Sequence, residues 1–185
     1  MSQRWIVTAL GKDRPGIVAG VTQVLYRLGC NLEDSAMTRL EDEFAIMLIF
    51  SSPSKATEGA LRKAFEPLER RLRLAVHLKP LTKQETTSPG RTGQPYVISV
   101  YGADRPGIVF RVSDQLARTG INITDVHTHR SPSAEKRGKA SLYLLLLEVE
   151  LPSRLPVASL ERQLQPLAKQ LGVEVSVRSA QASVL

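Results

Sequence analysis

The residues best suited to chemistry in this chain lie in a short run that occurs twice. Gly11–Val18 reads Gly-Lys-Asp-Arg-Pro-Gly-Ile-Val, and Gly102–Val109 repeats it with alanine in place of lysine. From Gly11 to Asp34, 13 of 24 residues are identical to the residue 91 positions later. A repeating unit of this length is too long for a solenoid turn, so the repeat indicates two related small domains.

Each residue type in this run suits the start of a helix that could hold an anion. Asp13 is a short acceptor that we expect to cap the first free amides, and Pro15 suits the first helical turn. Gly16 has no side chain, so a ligand can approach the backbone closely. The amides that follow would then form a site for a carboxylate, such as that of a free amino acid. A capped helix start without a ligand is the alternative, although Arg14 and its copy Arg105 are not needed for capping.

The elements around the two runs follow the order β-α-β-β-α-β in each half. Apolar residues at helical spacing follow each turn, and short β-forming runs lie on either side. The predicted strands are 5–10, 32–38, 43–50 and 74–78, with copies at 96–101, 123–130, 142–149 and 173–177; the second helices are 57–72 and 158–171. This order predicts two α+β, ferredoxin-like domains, each an antiparallel sheet of order 4-1-3-2 with both helices on one face.

Composition shifts mark the expected domain boundaries. We expect a first domain over 1–79 and a second over 95–178. A polar segment with proline and glycine, 80–94, reads as the linker, and 179–185 as a flexible tail.

An asparagine begins the second strand of each half. Asn31 and Asn122 can both donate and accept a hydrogen bond, which suits a zwitterionic ligand, although each could instead bond its own backbone. The predicted fold puts the turn and this asparagine at opposite ends of one domain. We therefore expect two sites that each combine both copies: Asp13–Gly16 with Asn122, and Asp104–Gly107 with Asn31.

Charge and cysteine content narrow the function classes. The net charge of +7 permits an acidic partner or nucleic acid, and the hairpin 130–139 is basic. A solvated basic surface explains both observations more simply. We therefore do not expect direct nucleic-acid binding. The single cysteine, Cys30, excludes an internal disulfide and corresponds to Ile121, so it reads as a buried apolar residue. No signal pattern or membrane-spanning run is seen, which predicts a cytoplasmic protein without membrane contact.

The motifs of common enzymes are not found in this sequence. It has no glycine-rich phosphate loop with lysine, no Cys-x-x-Cys and no Gly-x-Ser-x-Gly, so we expect neither catalysis nor a cofactor. His127 and His129 share one face of a strand and could chelate a metal. Their counterparts are Ala36 and Thr38, so we prefer a polar surface to a metal site.

The Gly-x-Asp-Arg-Pro-Gly-Ile-Val turn, its amphipathic helix and the following Gly-x-Asn together resemble the ACT domain, a regulatory module. Two copies with nothing else resemble the bacterial glycine cleavage system transcriptional repressor family. The resemblance implies a non-catalytic regulator that binds an amino acid at domain interfaces. The positions that match the family's ligand-binding motif are Asp13, Arg14, Pro15, Gly16, Ile17 and Asn31, with Asp104, Arg105, Pro106, Gly107, Ile108 and Asn122.

The same resemblance implies partners. Repressors of this type act by contacting a DNA-binding activator protein, and the family name points to glycine as the ligand. We also expect a homo-oligomer, formed through sheet edges or helix faces. Deformylase-like and uridylyltransferase-like enzymes carry similar domains, but their chemistry lies in other domains. The alternatives are a protein-interaction or metabolic-regulator module that binds no ligand, and a direct nucleic-acid binder.

Overall fold

In the computed structural model, the chain divides into two compact units, residues 1–88 and 89–185. The structure describes residues 3–53, 56–82, 93–131 and 141–180. Most of the predicted linker, the basic part of the hairpin after Ser131 and nearly all of the predicted tail therefore lie outside the described residues. The predicted domain boundaries stay a prediction. Within the described ranges, no helix is long and apolar enough to cross a membrane.

The described residues of the first unit form four strands and two helices in the predicted order. They are β1 (Gln3–Lys12), α1 (Ile17–Arg27), β2 (Asn31–Leu40), β3 (Glu43–Ser52), α2 (Glu58–Leu72) and β4 (Ala75–Pro80). The sheet order is β2-β3-β1-β4, and the neighbouring strands are antiparallel.

The second unit repeats this arrangement. Its elements are β5 (Gly93–Ala103), α3 (Ile108–Arg118), β6 (Asn122–Ser131), β7 (Leu142–Pro152), α4 (Val157–Leu171) and β8 (Val173–Ser179). The sheet order is β6-β7-β5-β8. The order 4-1-3-2 and the ferredoxin-like fold class are thus confirmed in both units.

Each unit has its own hydrophobic core between one face of the sheet and its helices. Alternate residues of the central strands point into it, because side chains alternate between the faces of a strand. In the first unit, Val7 and Leu48 meet Phe65 of α2 there; in the second, Val100 and Leu147 do so with helical leucines. The outer strands β2 and β6 are largely exposed, so these cores rest on three strands and two helices.

The glycine that opens each turn motif is required by packing. A Cβ on Gly11 would lie 2.9 Å from Leu74 Cδ2 and 3.0 Å from the carbonyl oxygen of Arg73. A Cβ on Gly102 would lie 2.9 Å from Val173 Cγ1 and 3.1 Å from a backbone oxygen. In both units the chain after the second helix passes against this glycine, so a side chain there would push the last strand away.

Candidate functional site

The Pro-Gly pair forms a tight turn just before the first helix of each unit. Gly16 has φ 94° and ψ −1°, and Gly107 has φ 91° and ψ −1°, which match the third position of a type II turn. Proline is favoured at the position before it, and only glycine adopts these angles without strain. The prediction that Pro15 lies in the first helical turn is wrong: α1 begins at Ile17, because the left-handed glycine must come before the helix can start.

The start of each of these helices has amides without a helical partner, next to an exposed glycine. In α1 the first helical hydrogen bond runs from the amide of Gly20 to the carbonyl of Gly16 at 2.8 Å. In α3 the amide of Arg111 donates to the carbonyl of Gly107 at 2.9 Å. The three amides between donor and acceptor therefore have no partner within the helix. Among the described residues no side chain caps either helix, and apart from its chain neighbours no heavy atom lies within 4 Å of the Cβ position of Gly16 or Gly107. A small anion could thus approach these amides directly.

The turn aspartates are held by arginines and do not cap the helices, contrary to our expectation. The Asp13 carboxylate lies 3.5 Å from Arg39 Nη1, and that of Asp104 lies 2.9 Å from Arg130 Nε. Both arginines lie near the end of the second strand, 91 residues apart, so the ion pair is repeated with the turn. The aspartate stands three residues before the N-cap glycine, with a proline between them, which leaves its side chain beside the hairpin.

Backbone bonds fix the same aspartates to the adjoining hairpin. The amide of Asp13 donates to the carbonyl of Asp42 at 2.6 Å, and the amide of Asp104 donates to that of Ser141 at 2.8 Å. Each turn is therefore fastened to the hairpin at two points: the ion pair near the end of the second strand, and the backbone bond to the residue just before the third strand. Sequence reasoning did not find Arg39, although its match with Arg130 in the repeat was the available signal. It also assigned Arg130 to a basic surface, whereas this arginine is paired.

The two turn arginines differ in their surroundings. The guanidinium of Arg105 reaches the end of α4, where Nη1 donates to the carbonyl of Leu171 at 3.5 Å. It also packs over Gly172, whose Cβ position is 3.2 Å from Nη1. In the first unit Arg73 occupies the place of Gly172, in the same left-handed conformation. Arg14 is exposed, and within the described residues no hydrogen bond or ion pair of its side chain is found.

Strand register places the asparagines far from the turns of their own units. Lys12, at the end of β1, lies opposite Glu43, whereas Asn31 lies opposite Ser51 at the other end of β3. In the second unit Ala103 lies opposite Leu142 and Asn122 opposite Glu150. Neither unit brings its turn and its asparagine together, and the expected pairing with the other copy stays a prediction.

Asn122 does lie in a concave part of the surface. An open groove of about 420 Å³ runs between α3 and the start of β6. Its lining includes Phe110, Asp114, Ile121 and Asn122. Phe110 is 69% exposed despite its size. The repeat places Ala19 where Phe110 lies, so this aromatic wall belongs to the second unit.

The histidines of β6 form a polar surface. His127 Nε2 lies 3.0 Å from Asp125 Oδ2, and both side chains are mostly exposed. Among the residues that the structure describes, no group of three or more His, Cys, Asp or Glu side chains could hold a metal ion. Cys30 packs partly buried against the first core, and burial raises the pKa of its thiol. A raised pKa leaves less thiolate at neutral pH, which fits a packing role better than a nucleophilic one.

The family model of the ACT domain matches this chain twice, over residues 3–79 and 94–178. The glycine cleavage system transcriptional repressor of Escherichia coli is 28% identical over 175 residues, which cover 93% of this chain and 87% of that protein. A UPF0237 protein of Methanopyrus kandleri is 44% identical over 64 residues, 34% of this chain and 71% of the relative.

Solved structures share the tandem fold. A Galdieria sulphuraria protein of unknown function superposes with a TM-score of 0.80 at 25% identity, covering 97% of this chain and 99% of that one. A candidate glycine cleavage system transcriptional repressor has a TM-score of 0.66 at 20% identity, with 96% and 97% covered. The chain belongs to the ACT domain family and carries two copies of the domain in tandem.

Proposed function

We propose that this protein is a non-enzymatic regulator that binds a small amino acid at its Asp-Arg-Pro-Gly turns and acts through a protein partner. The observation that carries the proposal is the pair of uncapped helix starts, each beside an exposed left-handed glycine with open space in front. A ligand carboxylate would accept hydrogen bonds from the free amides and would be favoured by the positive end of the helix dipole.

The aspartate of each turn suits the ammonium group of a zwitterionic ligand. The carboxylates of Asp13 and Asp104 could accept from a ligand ammonium group, and their side chains are about one-third exposed. The neighbouring arginines offset the repulsion that these carboxylates would exert on an incoming anion. The space in front of each glycine and the name of the Escherichia coli relative make glycine the first amino acid to test.

The asparagines belong to the proposal as well. Because each unit holds its turn and its asparagine at opposite ends of the sheet, a site that used both would have to take them from different units. Asn31→Ala and Asn122→Ala test this directly. Unchanged amino-acid affinity in both variants would remove the asparagines from the site but leave the turns in it.

Regulation would follow from linkage between ligand and partner. A ligand that binds one conformation more tightly stabilises it, and a partner that prefers that conformation gains affinity by the same factor. The similarity to the named repressor supports transcriptional regulation, and we propose a DNA-binding protein as the partner. The proposal includes a cytoplasmic location and a homo-oligomer.

A thermal-shift panel of the twenty amino acids tests ligand binding. A selective ligand raises Tm by mass action, by an amount that grows with its concentration above Kd. Glycinamide is the matched control for glycine because it lacks the carboxylate. A flat panel would contradict amino-acid sensing and favour a protein-interaction module that has no ligand of its own.

A further inference from the structure

The helical surface of the first unit contains a groove that the turn site does not use. This α1–α2 groove has a volume of about 280 Å³. Its floor includes Val24 and the buried Leu68, with Pro67 beside them, while the exposed Arg27 and Arg71 stand at its edges. The groove thus combines an apolar floor with two cationic edges.

Gly20 determines how the groove is built. This residue is buried, and a Cβ on it would lie 2.6 Å from Leu68 Cδ1 and 3.6 Å from Arg71 Nη2. The lack of a side chain lets α2 approach α1 closely at this point. It also lets the Arg71 guanidinium lie over the surface of α1, on the same side as Arg27.

The second unit has different side chains at the same place. Arg111 stands at the position of Gly20, and Gln115 Nε2 donates to Gln163 Oε1 at 3.3 Å across α3 and α4. Arg118, the counterpart of Arg27, pairs with Asp114 at 2.9 Å. In the first unit, by contrast, no described side chain forms an ion pair or hydrogen bond with Arg27 or Arg71.

We propose that the α1–α2 groove binds an acidic amphipathic segment of a partner protein. One apolar side chain of the segment would lie on Val24 and Leu68, and its flanking carboxylates would pair with Arg27 and Arg71. The net charge of +7 favours the approach of an acidic partner. The inference rests on the proposed regulatory function, for which it specifies the docking surface and the chemistry of the partner.

The lining of the groove favours a protein segment over nucleic acid. Single-stranded nucleic acid is held by aromatic side chains on which bases stack, and the groove lining contains none. Duplex binding draws most of its affinity from many phosphate contacts, whereas this groove presents two guanidinium groups over an apolar floor. A helical segment matches such a surface with a few anchoring side chains.

Fluorescence anisotropy on the full chain tests the proposal with a defined probe. The probe is a fluorescein-labelled amphipathic peptide of leucine, alanine and glutamate, compared with a labelled duplex DNA of arbitrary sequence. The double variant Arg27→Glu/Arg71→Glu should weaken peptide binding at least about tenfold, since it reverses both cationic edges. Arg118→Glu/Arg162→Glu changes the net charge equally on the second unit and should have a much smaller effect.

A variant that conserves charge separates the groove from the general basic surface. Gln23→Trp places an indole beside the groove and should also weaken peptide binding. The proposal would be overturned if both double variants lost peptide affinity equally, or if Gln23→Trp caused no loss. It would also be overturned if the duplex bound as well as the peptide and lost affinity in the same variants. The thermal shift with amino acids should persist in Arg27→Glu/Arg71→Glu, which distinguishes failure of the docking surface from failure of ligand sensing.

Discussion

The two units share the same turn, but they differ in how the surface around it is used. Both keep the left-handed glycine, the free helix amides and the aspartate–arginine pair. In the second unit a hydrogen bond between Gln115 and Gln163 joins the two helices at the corresponding place, and Arg105 bonds to the end of α4. The first unit leaves the corresponding groove open. Under the proposed function, the shared features predict the same ligand chemistry at both turns, and the differences predict separate contacts with partners.

Two core substitutions should have the largest effect, and they test whether the two cores are separate. Phe65→Ala should lower the free energy of unfolding of the first unit by about 3–5 kcal/mol, and Leu164→Ala that of the second by about 2–5 kcal/mol, because each leaves a cavity in its own core. Amide hydrogen exchange would show lost protection in β1 and β3 for the first variant and in β5 and β7 for the second. Equal loss in both units from either variant would contradict two independent cores. The exposed Glu66→Ala is the control.

Replacing the turn glycines tests whether the turns are equivalent. Gly16→Ala and Gly107→Ala should each cost about 1–2 kcal/mol, because a Cβ is strained at these positive φ angles. Gly59→Ala, in the first turn of α2 with open space around it, should be neutral or stabilising by up to about 1 kcal/mol. Chemical denaturation measures all three. A cost in only one turn would show that the two turns are not equivalent.

The ion pairs should differ in strength between the units. Asp104→Asn removes a contact of 2.9 Å and Asp13→Asn one of 3.5 Å, so the first should destabilise more. Both effects should stay within about 1 kcal/mol, because the arginines of these pairs are mostly exposed, and should shrink as salt is added. Denaturant titrations at low and high ionic strength would check this. A larger loss of stability from Asp13→Asn would contradict the expectation that the ion pair of the second unit is the stronger one.

The smallest expected difference concerns the turn arginines. Arg105→Ala should cost about 0.5 kcal/mol by removing a cation from the C-terminus of α4, whereas Arg14→Ala should change stability by less. If Arg14 contacts a ligand, its removal should instead weaken amino-acid binding. Stability and thermal-shift measurements on the same two variants would separate the structural arginine from the binding one.

The repeat made the fold predictable, because aligned apolar patterns in two copies reinforce each other. The strand order and both second helices follow from the residues alone. The strands are longer than predicted, since polar ends such as Lys12 and Arg39 extend them through backbone pairing that leaves no apolar pattern.

The site was only partly predictable, because its contacts join residues distant in the sequence. The turn glycines were identified from residue type, and their backbone angles agree. We expected the aspartates to cap the helices. An aspartate that precedes the turn can equally well form an ion pair with an arginine of a neighbouring strand. Nothing in the spacing of Gly20 and Arg71 indicates the groove, which arises only when α1 and α2 pack together.

The most direct test of ligand binding at the two turns is an NMR titration of the ¹⁵N-labelled chain with each amino acid in turn. We expect at least one amino acid to shift the amide signals of Ile17 and Val18 and those of Ile108 and Val109, and its amide analogue without the carboxylate to leave them unchanged. If no amino acid moves these signals at saturating concentration, or if the only shifts lie away from both turns, the turns are not the ligand site.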